Sequence, residues 1–149
     1  MRLDRRLRQT LATVAIAMAP ARHEWWIIAS AAVMLHGADP GAIDDVDVLF
    51  DLRDTKAILR QLGLETAPGA AHAKFRSEQF VRWTGPPLPV EFFAGFHLFE
   101  AGRWTAIRPV TRLAVRVEQQ TLFVPERGEL KAMLLRFGRP KDLARAALL

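Results

Sequence analysis

Two aspartates separated by one residue, Asp45 and Asp47, open an apolar segment that ends at Phe50. The segment is rich in β-branched and aromatic residues, which predicts a strand whose side chains alternate between two faces. Asp45 and Asp47 therefore share a face, and each carboxylate raises the pKa of the other unless a cation lies between them. Because Mg²⁺ binds one or two carboxylates together with water and phosphate oxygens, the pair predicts a Mg²⁺ or Mn²⁺ site. The alternative is that both carboxylates are solvated at a strand end.

The residues that precede this pair carry a second chemical signal. An apolar run from Trp25 to Ala29 predicts a short strand, and the residues from Ser30 to Gly37 are compatible with a short helix. Ser30 then lies where a strand meets a helix, and free backbone N–H groups at such a junction favour a phosphate group. The alternative is that Ser30 is an ordinary helix N-cap.

A third carboxylate, Glu91, lies later in the chain within a further predicted strand over residues 88–95 (LPVEFFAG). The order of strand, small-residue turn, short helix, Asp-x-Asp strand and later carboxylate strand resembles the nucleotidyltransferase superfamily, which includes DNA polymerase β. The closest resemblance is to small single-domain bacterial members. Residues 137–143 (FGRPKDL) are similar to the terminal helical segment of stand-alone and abortive-infection-type members.

The resemblance implies a mixed α/β fold in which residues 1–149 form one domain, with a short mixed central sheet, helices packed on one side and C-terminal helices. It also implies transfer of a nucleoside monophosphate from a nucleoside triphosphate to a hydroxyl acceptor. Asp45, Asp47 and Glu91 would be the catalytic residues and would hold two Mg²⁺ or Mn²⁺ ions. The residues that it places near the phosphates are Ala29, Ser30, Arg139 and Lys141.

Basic residues alternate along the predicted strand Lys74–Trp83, which a Gly-Pro turn joins to the Glu91 strand. If the two strands form a hairpin, this basic face lies beside the carboxylates and is placed to meet the phosphates of a nucleotide. Its members are Lys74, Arg76 and Arg82. The alternative is that the face is only solvated.

Two residues depart from the pattern of the family. Ala29 stands where glycine usually precedes the serine, and its Cβ removes the freedom to adopt positive φ and narrows the approach to a triphosphate. Glu91 stands where aspartate is more usual, and its side chain is one methylene longer. The first departure leaves open a second hypothesis, a catalytically degenerate module that binds nucleotide, RNA or a partner protein.

The acceptor also has alternatives. It is either a small molecule, such as an aminoglycoside or lincosamide antibiotic, or an RNA such as tRNA. A broad basic cleft would favour RNA, whereas an enclosed pocket lined by acidic and aromatic groups would favour a cationic drug. A homodimer or a partner protein is also compatible with the sequence.

The composition limits which classes of site and partner are possible. A chain of 149 residues, half of them hydrophobic, is long enough for one globular domain. The absence of cysteine excludes disulfides, thiol nucleophiles and cysteine-based zinc sites, and it is compatible with a bacterial cytoplasm. The net charge of +5 favours an anionic partner.

The first twenty residues superficially resemble a signal peptide, but apolar residues at helical spacing predict an amphipathic helix that ends at Pro20, with no membrane segment. Later strands are expected at 104–107, 113–118 and 121–124, as extensions of the central sheet. A helix over 129–137, a break at Gly138 and Pro140, and a last helix complete the prediction.

Overall fold

The fold is a mixed α/β arrangement, seen in a computed structural model that describes residues 3–149. The helices are α1 (Arg5–Ala17), α2 (Ala29–Leu35), α3 (Thr55–Gln61), α4 (Arg127–Phe137) and α5 (Pro140–Ala146). The strands are β1 (Trp26–Ile28), β2 (Val46–Phe50), β3 (Phe75–Trp83), β4 (Val90–Glu100), β5 (Arg103–Ala106), β6 (Leu113–Val117) and β7 (Gln120–Val124). A short 3-10 helix over Leu52–Asp54 leads into α3. The predicted fold class is confirmed.

The central sheet has the strand order β1-β2-β4-β3, and β5 pairs with the C-terminal half of β4. The β2–β4 pair is parallel, while β1–β2, β3–β4 and β4–β5 are antiparallel. In the parallel pair Asp47 lies directly opposite Glu91. The register of this pair therefore makes two carboxylates neighbours although they are far apart in the sequence.

Alternation along β2 and β4 separates the core from the carboxylates. Val48 and Phe92 are fully buried on one face of the sheet. Asp47 and Glu91 each precede one of these residues and therefore point to the other face. The apolar alternation that builds the core thus also presents the two carboxylates together.

The β6–β7 hairpin corrects one expectation, because it forms a separate two-stranded sheet rather than an extension of the central one. Strand β7 lies against α1 and β1, and its Leu122 and Val124 are buried there. The apolar alternation predicted both strands correctly. Alternation specifies which face of a strand is buried but not which strand it pairs with.

Helix α1 confirms the amphipathic helix predicted for the N-terminal region. The Asp4 side chain accepts a hydrogen bond from the backbone N–H of Leu7 at 2.8 Å and caps the helix. The apolar stripe of this region is buried: Leu7, Leu11, Val14 and Met18. Within residues 3–149, none of the helices combines the length and the hydrophobicity needed to cross a bilayer.

Candidate active site

Asp45, Asp47 and Glu91 converge on one face of the sheet. Asp45 directly precedes β2, Asp47 lies within it, and Glu91 lies opposite Asp47 on β4. One carboxylate oxygen from each of the three residues lies within 4.8 Å of the other two. All three side chains are partly buried. The structure therefore brings together the three carboxylates that the sequence analysis singled out.

Burial and neighbouring negative charge favour the protonated forms of Asp47 and Glu91. The pKa of Asp47 is raised to about 8, first by removal from water and then by the charges of Asp45 and Glu91. The pKa of Glu91 is also raised, mainly by burial and then by a hydrogen bond with the Asp45 side chain. Without a cation, Asp47 thus retains its proton near neutral pH.

The donor set fits a small divalent cation. It consists only of carboxylate oxygens, which are the hard ligands that Mg²⁺ and Mn²⁺ prefer. A cation placed among the three residues would offset the repulsion that contributes to the raised pKa values of Asp47 and Glu91. The geometry and the electrostatics therefore both suit a metal site.

Strands β3 and β4 form the predicted antiparallel hairpin, in which Arg82 pairs with Glu91. The Nη1 atom of Arg82 lies 3.2 Å from Oε1 of Glu91, and the arginine charge offsets part of the rise in the pKa of this glutamate. Because about half of the Arg82 side chain is exposed, the pair is largely screened by solvent. At this position the basic face of the hairpin adjoins the carboxylate cluster.

Helix α2 begins with a conformation that alanine rarely adopts. Ala29 is its first residue and has a φ of 59°, in the left-handed region. Such a conformation costs an L-residue roughly 1–2 kcal/mol, whereas glycine adopts it freely. The chain thus keeps the backbone path that a glycine would take and adds a methyl group beside the carboxylates.

Ser30 is the second residue of α2 and is 5% exposed. The helix N-cap is Ile28, with no side-chain capping bond. The alternative interpretation of Ser30 as an N-cap is therefore wrong. Contact between Ser30 and a phosphate stays a prediction.

At the start of α5, the guanidinium of Arg139 is engaged within the chain. Its Nε donates to Oδ2 of Asp142 at 2.6 Å, and Nη2 donates to Oδ1 at 3.0 Å. The guanidinium carbon also lies 4.7 Å from the centre of the Phe75 ring. Arg139 lines the cleft beside the carboxylates, but two of its three side-chain nitrogens are already bonded to Asp142.

Two other basic residues of α5 act on the carboxylates. The charge of Lys141 offsets part of the rise in the pKa values of Asp47 and Glu91, and the charge of Arg145 does the same for Asp47. They lie four residues apart and so share a helix face. Within the part of the chain that the structure describes, neither forms an ion pair. The sequence analysis identified Lys141 but missed Arg145, which the four-residue spacing would have revealed.

Lys74 lies outside the lining of the cleft. It directly precedes β3, and its Nζ approaches Gly138 at the turn between α4 and α5. Lys74 is not among the residues that line the cleft, and its contact with a nucleotide also stays a prediction.

A cleft of about 330 Å³ adjoins the carboxylates and is lined by Asp47 and Glu91 at one end. Phe93 and Phe96 of β4 both line it, although residues three apart in a regular strand point to opposite faces. Gly95, between them, has a φ of 63° and breaks the alternation, so the two rings lie 5.1 Å apart. The sequence analysis did not identify this aromatic cleft.

Comparisons with solved structures show the fold. A candidate nucleotidyltransferase from Thermotoga maritima aligns with a TM-score of 0.71 at 18% identity, over 87% of this chain and 83% of that chain. The antibiotic-resistance factor ANT(2'')-Ia aligns with a TM-score of 0.55 at 11% identity, over 94% and 83%. An antigenic nucleotidyltransferase-like protein from Paracoccidioides brasiliensis aligns with a TM-score of 0.52 at 15% identity, over 95% and 72%. No protein-family model and no curated protein matches the sequence. The protein therefore has the nucleotidyltransferase fold.

Proposed function

We propose that this protein is a metal-dependent nucleotidyltransferase, which transfers a nucleoside monophosphate from a nucleoside triphosphate to a hydroxyl group. The observation that carries the proposal is the carboxylate cluster. Asp45, Asp47 and Glu91 offer oxygens within 4.8 Å of one another on one face of a nucleotidyltransferase fold. Carboxylates that are only solvated at a surface do not usually converge in this way, because without a cation their mutual repulsion destabilises the folded protein.

The three carboxylates would hold Mg²⁺ or Mn²⁺. When bound, the metal would supply Lewis-acid stabilisation of negative charge on the phosphates and lower the pKa of the attacking hydroxyl. The charges of both Asp45 and Glu91 raise the pKa of Asp47. We therefore assign Asp47 to the centre of the site. Glu91 lines the cleft and is the carboxylate we place nearest the acceptor.

The bonds that change are those at the α-phosphorus of the nucleotide. The acceptor oxygen forms a bond to this phosphorus, the bond from it to the oxygen that bridges the α- and β-phosphates breaks, and pyrophosphate leaves. The hydroxyl proton is released to the carboxylates or to solvent. Lys141 and Arg145 would balance the charge of the outer phosphates, together with the backbone near Ser30.

The acceptor is a small molecule or an RNA, and we place the reaction in the cytoplasm, where nucleoside triphosphates and Mg²⁺ occur together. The second hypothesis, a module that binds nucleotide without turnover, draws on one observation. The Ala29 methyl group lies at the edge of the cleft where the family has no side chain. This second hypothesis predicts nucleotide binding with no release of pyrophosphate.

The test is a set of thermal melts with each of the four ribonucleoside triphosphates, in the presence of Mg²⁺, Mn²⁺ or a chelator. A ligand at one hundred times its Kd stabilises the protein by about 2.7 kcal/mol, which raises the Tm of a domain of this size by several degrees. We expect a metal-dependent shift that Asp45→Asn/Asp47→Asn abolishes. The matched control is Asp44→Asn, because Asp44 is an exposed neighbour outside the cluster.

Pyrophosphate release is then measured with the nucleotide that binds best, in the presence of hydroxyl acceptors of both proposed classes, an aminoglycoside and tRNA, because transfer releases pyrophosphate only when an acceptor is present. Release that depends on Asp47 and on an acceptor supports the transferase, and a metal-dependent shift without release with either acceptor supports the binding module. If no nucleotide shifts the Tm of folded wild-type protein, the proposal that the carboxylates form a nucleotide site is wrong.

A further inference from the structure

A second cleft lies between the end of α1 and the β6–β7 hairpin, and it is here called the α1–β7 cleft. Its volume is about 370 Å³. Its lining includes residues from the segment after α1, the residue before β1, and β7: Met18, Ala21, Trp25, Thr121 and Phe123. Of the residues that the structure describes, none lines both this cleft and the cleft beside the carboxylates. The α1–β7 cleft is therefore a separate site.

The guanidinium of Arg112 is held in a fixed orientation at this cleft. Its central carbon lies 3.4 Å from the centre of the Phe123 ring, and its Nε donates to the carbonyl oxygen of Trp25 at 3.3 Å. Within residues 3–149 this is the one hydrogen bond that the Arg112 side chain makes, so the N–H donors of both Nη atoms stay free. Stacking and one backbone bond thus position a fork of unused donors.

No carboxylate of the described residues forms an ion pair with Arg112. Six other arginines do have carboxylate partners: Arg8, Arg53, Arg82, Arg108, Arg136 and Arg139. Burial lowers the pKa of Arg112, and the negative charge of Glu24 offsets part of this effect. A partly desolvated cation without a paired anion destabilises a folded protein. An anionic ligand would supply the partner that the chain does not.

Further donors adjoin the Arg112 fork. Arg22 is exposed and lines the cleft, and in the described part of the chain it forms no ion pair. Thr121 also lines the cleft and contributes a hydroxyl. On β6, Arg116 lies opposite Thr121 and therefore faces the same side of the hairpin. Three arginines thus surround one polar cleft.

Two carboxylates lie near these cations. Glu24 lines the cleft, but its side chain is 53% exposed and lies 3.8 Å from Nη2 of Arg108. Asp54 is not part of the lining, and its oxygens accept the backbone N–H groups of Arg22 and His23 at 3.1 and 3.0 Å. Neither carboxylate pairs with Arg112, so the cleft keeps a positive charge.

We propose that the α1–β7 cleft binds a phosphate group through Arg112, Arg22 and Thr121. The guanidinium fork matches two oxygens of a phosphate, and a stacked arginine is already oriented for that contact. The donors are cationic or neutral, so the site needs no metal ion and is independent of the proposed nucleotide transfer. Its volume lies within the range of small-molecule sites, which leaves room for the group that carries the phosphate.

Two sources supply such a phosphate: a small phosphate monoester or the backbone of a polynucleotide. Both present oxygens to the arginines in the same way. They differ in charge and in length, so two probes distinguish them. Glycerol 3-phosphate represents the monoester, and a short oligouridine without a terminal phosphate represents the polynucleotide.

Four substitutions test the groups of the site one at a time. Arg112→Gln removes the charge and the fork, and Arg22→Gln removes the second charge. Thr121→Val removes the hydroxyl but nearly keeps the shape of the side chain. Glu24→Gln removes the opposing charge. The matched control is Arg103→Gln, which removes an exposed arginine of β5 outside the cleft.

Tm values establish whether each variant is folded. Arg112→Gln also removes packing on the Phe123 ring, so it is the variant most exposed to a loss of stability. Arg22→Gln and Thr121→Val leave the stacked guanidinium in place. These two variants therefore test the site whether or not Arg112→Gln folds.

Isothermal titration with inorganic phosphate measures the site in the full chain, freed of divalent metals and held at constant ionic strength. We expect saturable binding to wild type. Arg112→Gln should weaken it by about tenfold or more, and Thr121→Val by about fivefold. Arg22→Gln should weaken it by about two- to fivefold, whereas Glu24→Gln should strengthen it by a similar factor. Arg103→Gln should bind phosphate as wild type does.

The source of the phosphate follows from the two larger probes. If glycerol 3-phosphate competes with inorganic phosphate and the oligouridine does not, the ligand is a small monoester. If the oligouridine binds, Arg112→Gln weakens it and inorganic phosphate displaces it, the ligand is a polynucleotide. Either result supports a phosphate site at Arg112.

Two results would overturn the inference. One is the absence of saturable phosphate binding to folded, metal-free wild type. The other is an equal loss in Arg103→Gln and in the cleft variants, which would mean that only the net charge attracts the anion. Failure of the proposed function looks different, because it would remove the Mg²⁺-dependent nucleotide shift and leave this metal-free binding unchanged in Asp47→Asn.

Discussion

Arg139 and Asp142 form a bidentate ion pair at the start of α5, with Nε 2.6 Å from Oδ2 and Nη2 3.0 Å from Oδ1. Asp142 is fully buried, and its Oδ2 also accepts the backbone N–H of Arg139 at 3.2 Å. The pair closes the first turn of the helix that carries Lys141 and Arg145. Arg139 therefore positions these cations, whatever contact it makes with a ligand.

Asp142→Ala is expected to lower the free energy of unfolding by about 2–4 kcal/mol, because it leaves the Arg139 charge without its partner. Arg139→Lys keeps the charge but loses the bidentate geometry, so a smaller loss is expected. Urea denaturation measures both, with Arg103→Lys on β5 as the control. If Arg139→Lys is as stable as wild type but binds tripolyphosphate more weakly, Arg139 contacts the phosphates, and its ion pair with Asp142 is not needed to hold the start of α5.

Lys141→Ala and Arg145→Ala test the cationic face of α5. Each removes a positive charge that acts on Asp47, and we expect each to weaken the binding of Mg²⁺-tripolyphosphate by about tenfold, the loss of one charge-assisted hydrogen bond. The measurement is titration calorimetry at two salt concentrations. Lys131→Ala is the control, since Lys131 is an exposed residue of α4 outside the site. Unchanged binding in both variants would place the outer phosphates elsewhere.

Ala29→Gly tests the left-handed residue at the start of α2. Relief of the strain at a φ of 59° is worth more than the entropy that glycine adds to the unfolded chain, so we expect a gain of about 0.5–1 kcal/mol in stability. Tripolyphosphate should bind at least as tightly, because the methyl group at the cleft is removed. Ala57→Gly, at an exposed position of α3, should instead destabilise by about 1 kcal/mol. A loss of stability in Ala29→Gly would show that the methyl group contributes packing.

The pair of Asp45 and Asp47 was accessible from the sequence because each step in its prediction is local. Alternation along 46–50 places Asp45 and Asp47 on one face, and the observed bounds of β2 match this segment. Glu91 required more than local pattern, since its place opposite Asp47 depends on the parallel register of β2 and β4. The family resemblance identified Glu91 as the third carboxylate but did not predict this pairing.

The aromatic cleft and the separate β6–β7 sheet were not accessible in this way. The rings of Phe75 and Phe96 both contact Phe137 of α4 edge-on, at 5.4 Å and 5.9 Å, and Gly95 breaks the alternation of β4 beside Phe96. These are long-range contacts, and neither period nor composition encodes them. Arg139 shows the same limit. The family resemblance predicted a phosphate contact, which stays a prediction, but it did not predict the buried Asp142 three residues later that holds the guanidinium.

The pH dependence of the stability of Asp47→Asn, compared with that of wild type, should show whether Asp47 is protonated when no metal is bound. The pKa of Asp47 is raised from 3.8 to about 8 in the folded protein, so folding favours the neutral form. The stability that this provides is fully present below about pH 4 and is lost as the pH rises towards 8. The amide that replaces the carboxylate would stay neutral throughout. The free energy of unfolding of the variant should therefore rise relative to that of wild type between about pH 4 and about pH 8, by about 1.4 kcal/mol for each unit by which the pKa is raised.

The measurement is urea denaturation at about pH 5 and about pH 8, with a chelator or with Mg²⁺. With the chelator, we expect Asp47→Asn to be the more stable protein at the higher pH, by at least the equivalent of one pKa unit. With Mg²⁺ the order should reverse, because the ionised carboxylate then has a cation and the amide does not. Asp44→Asn should follow wild type in all four conditions. Equal stability of Asp47→Asn and wild type at the higher pH with the chelator would mean that Asp47 is already ionised without a metal.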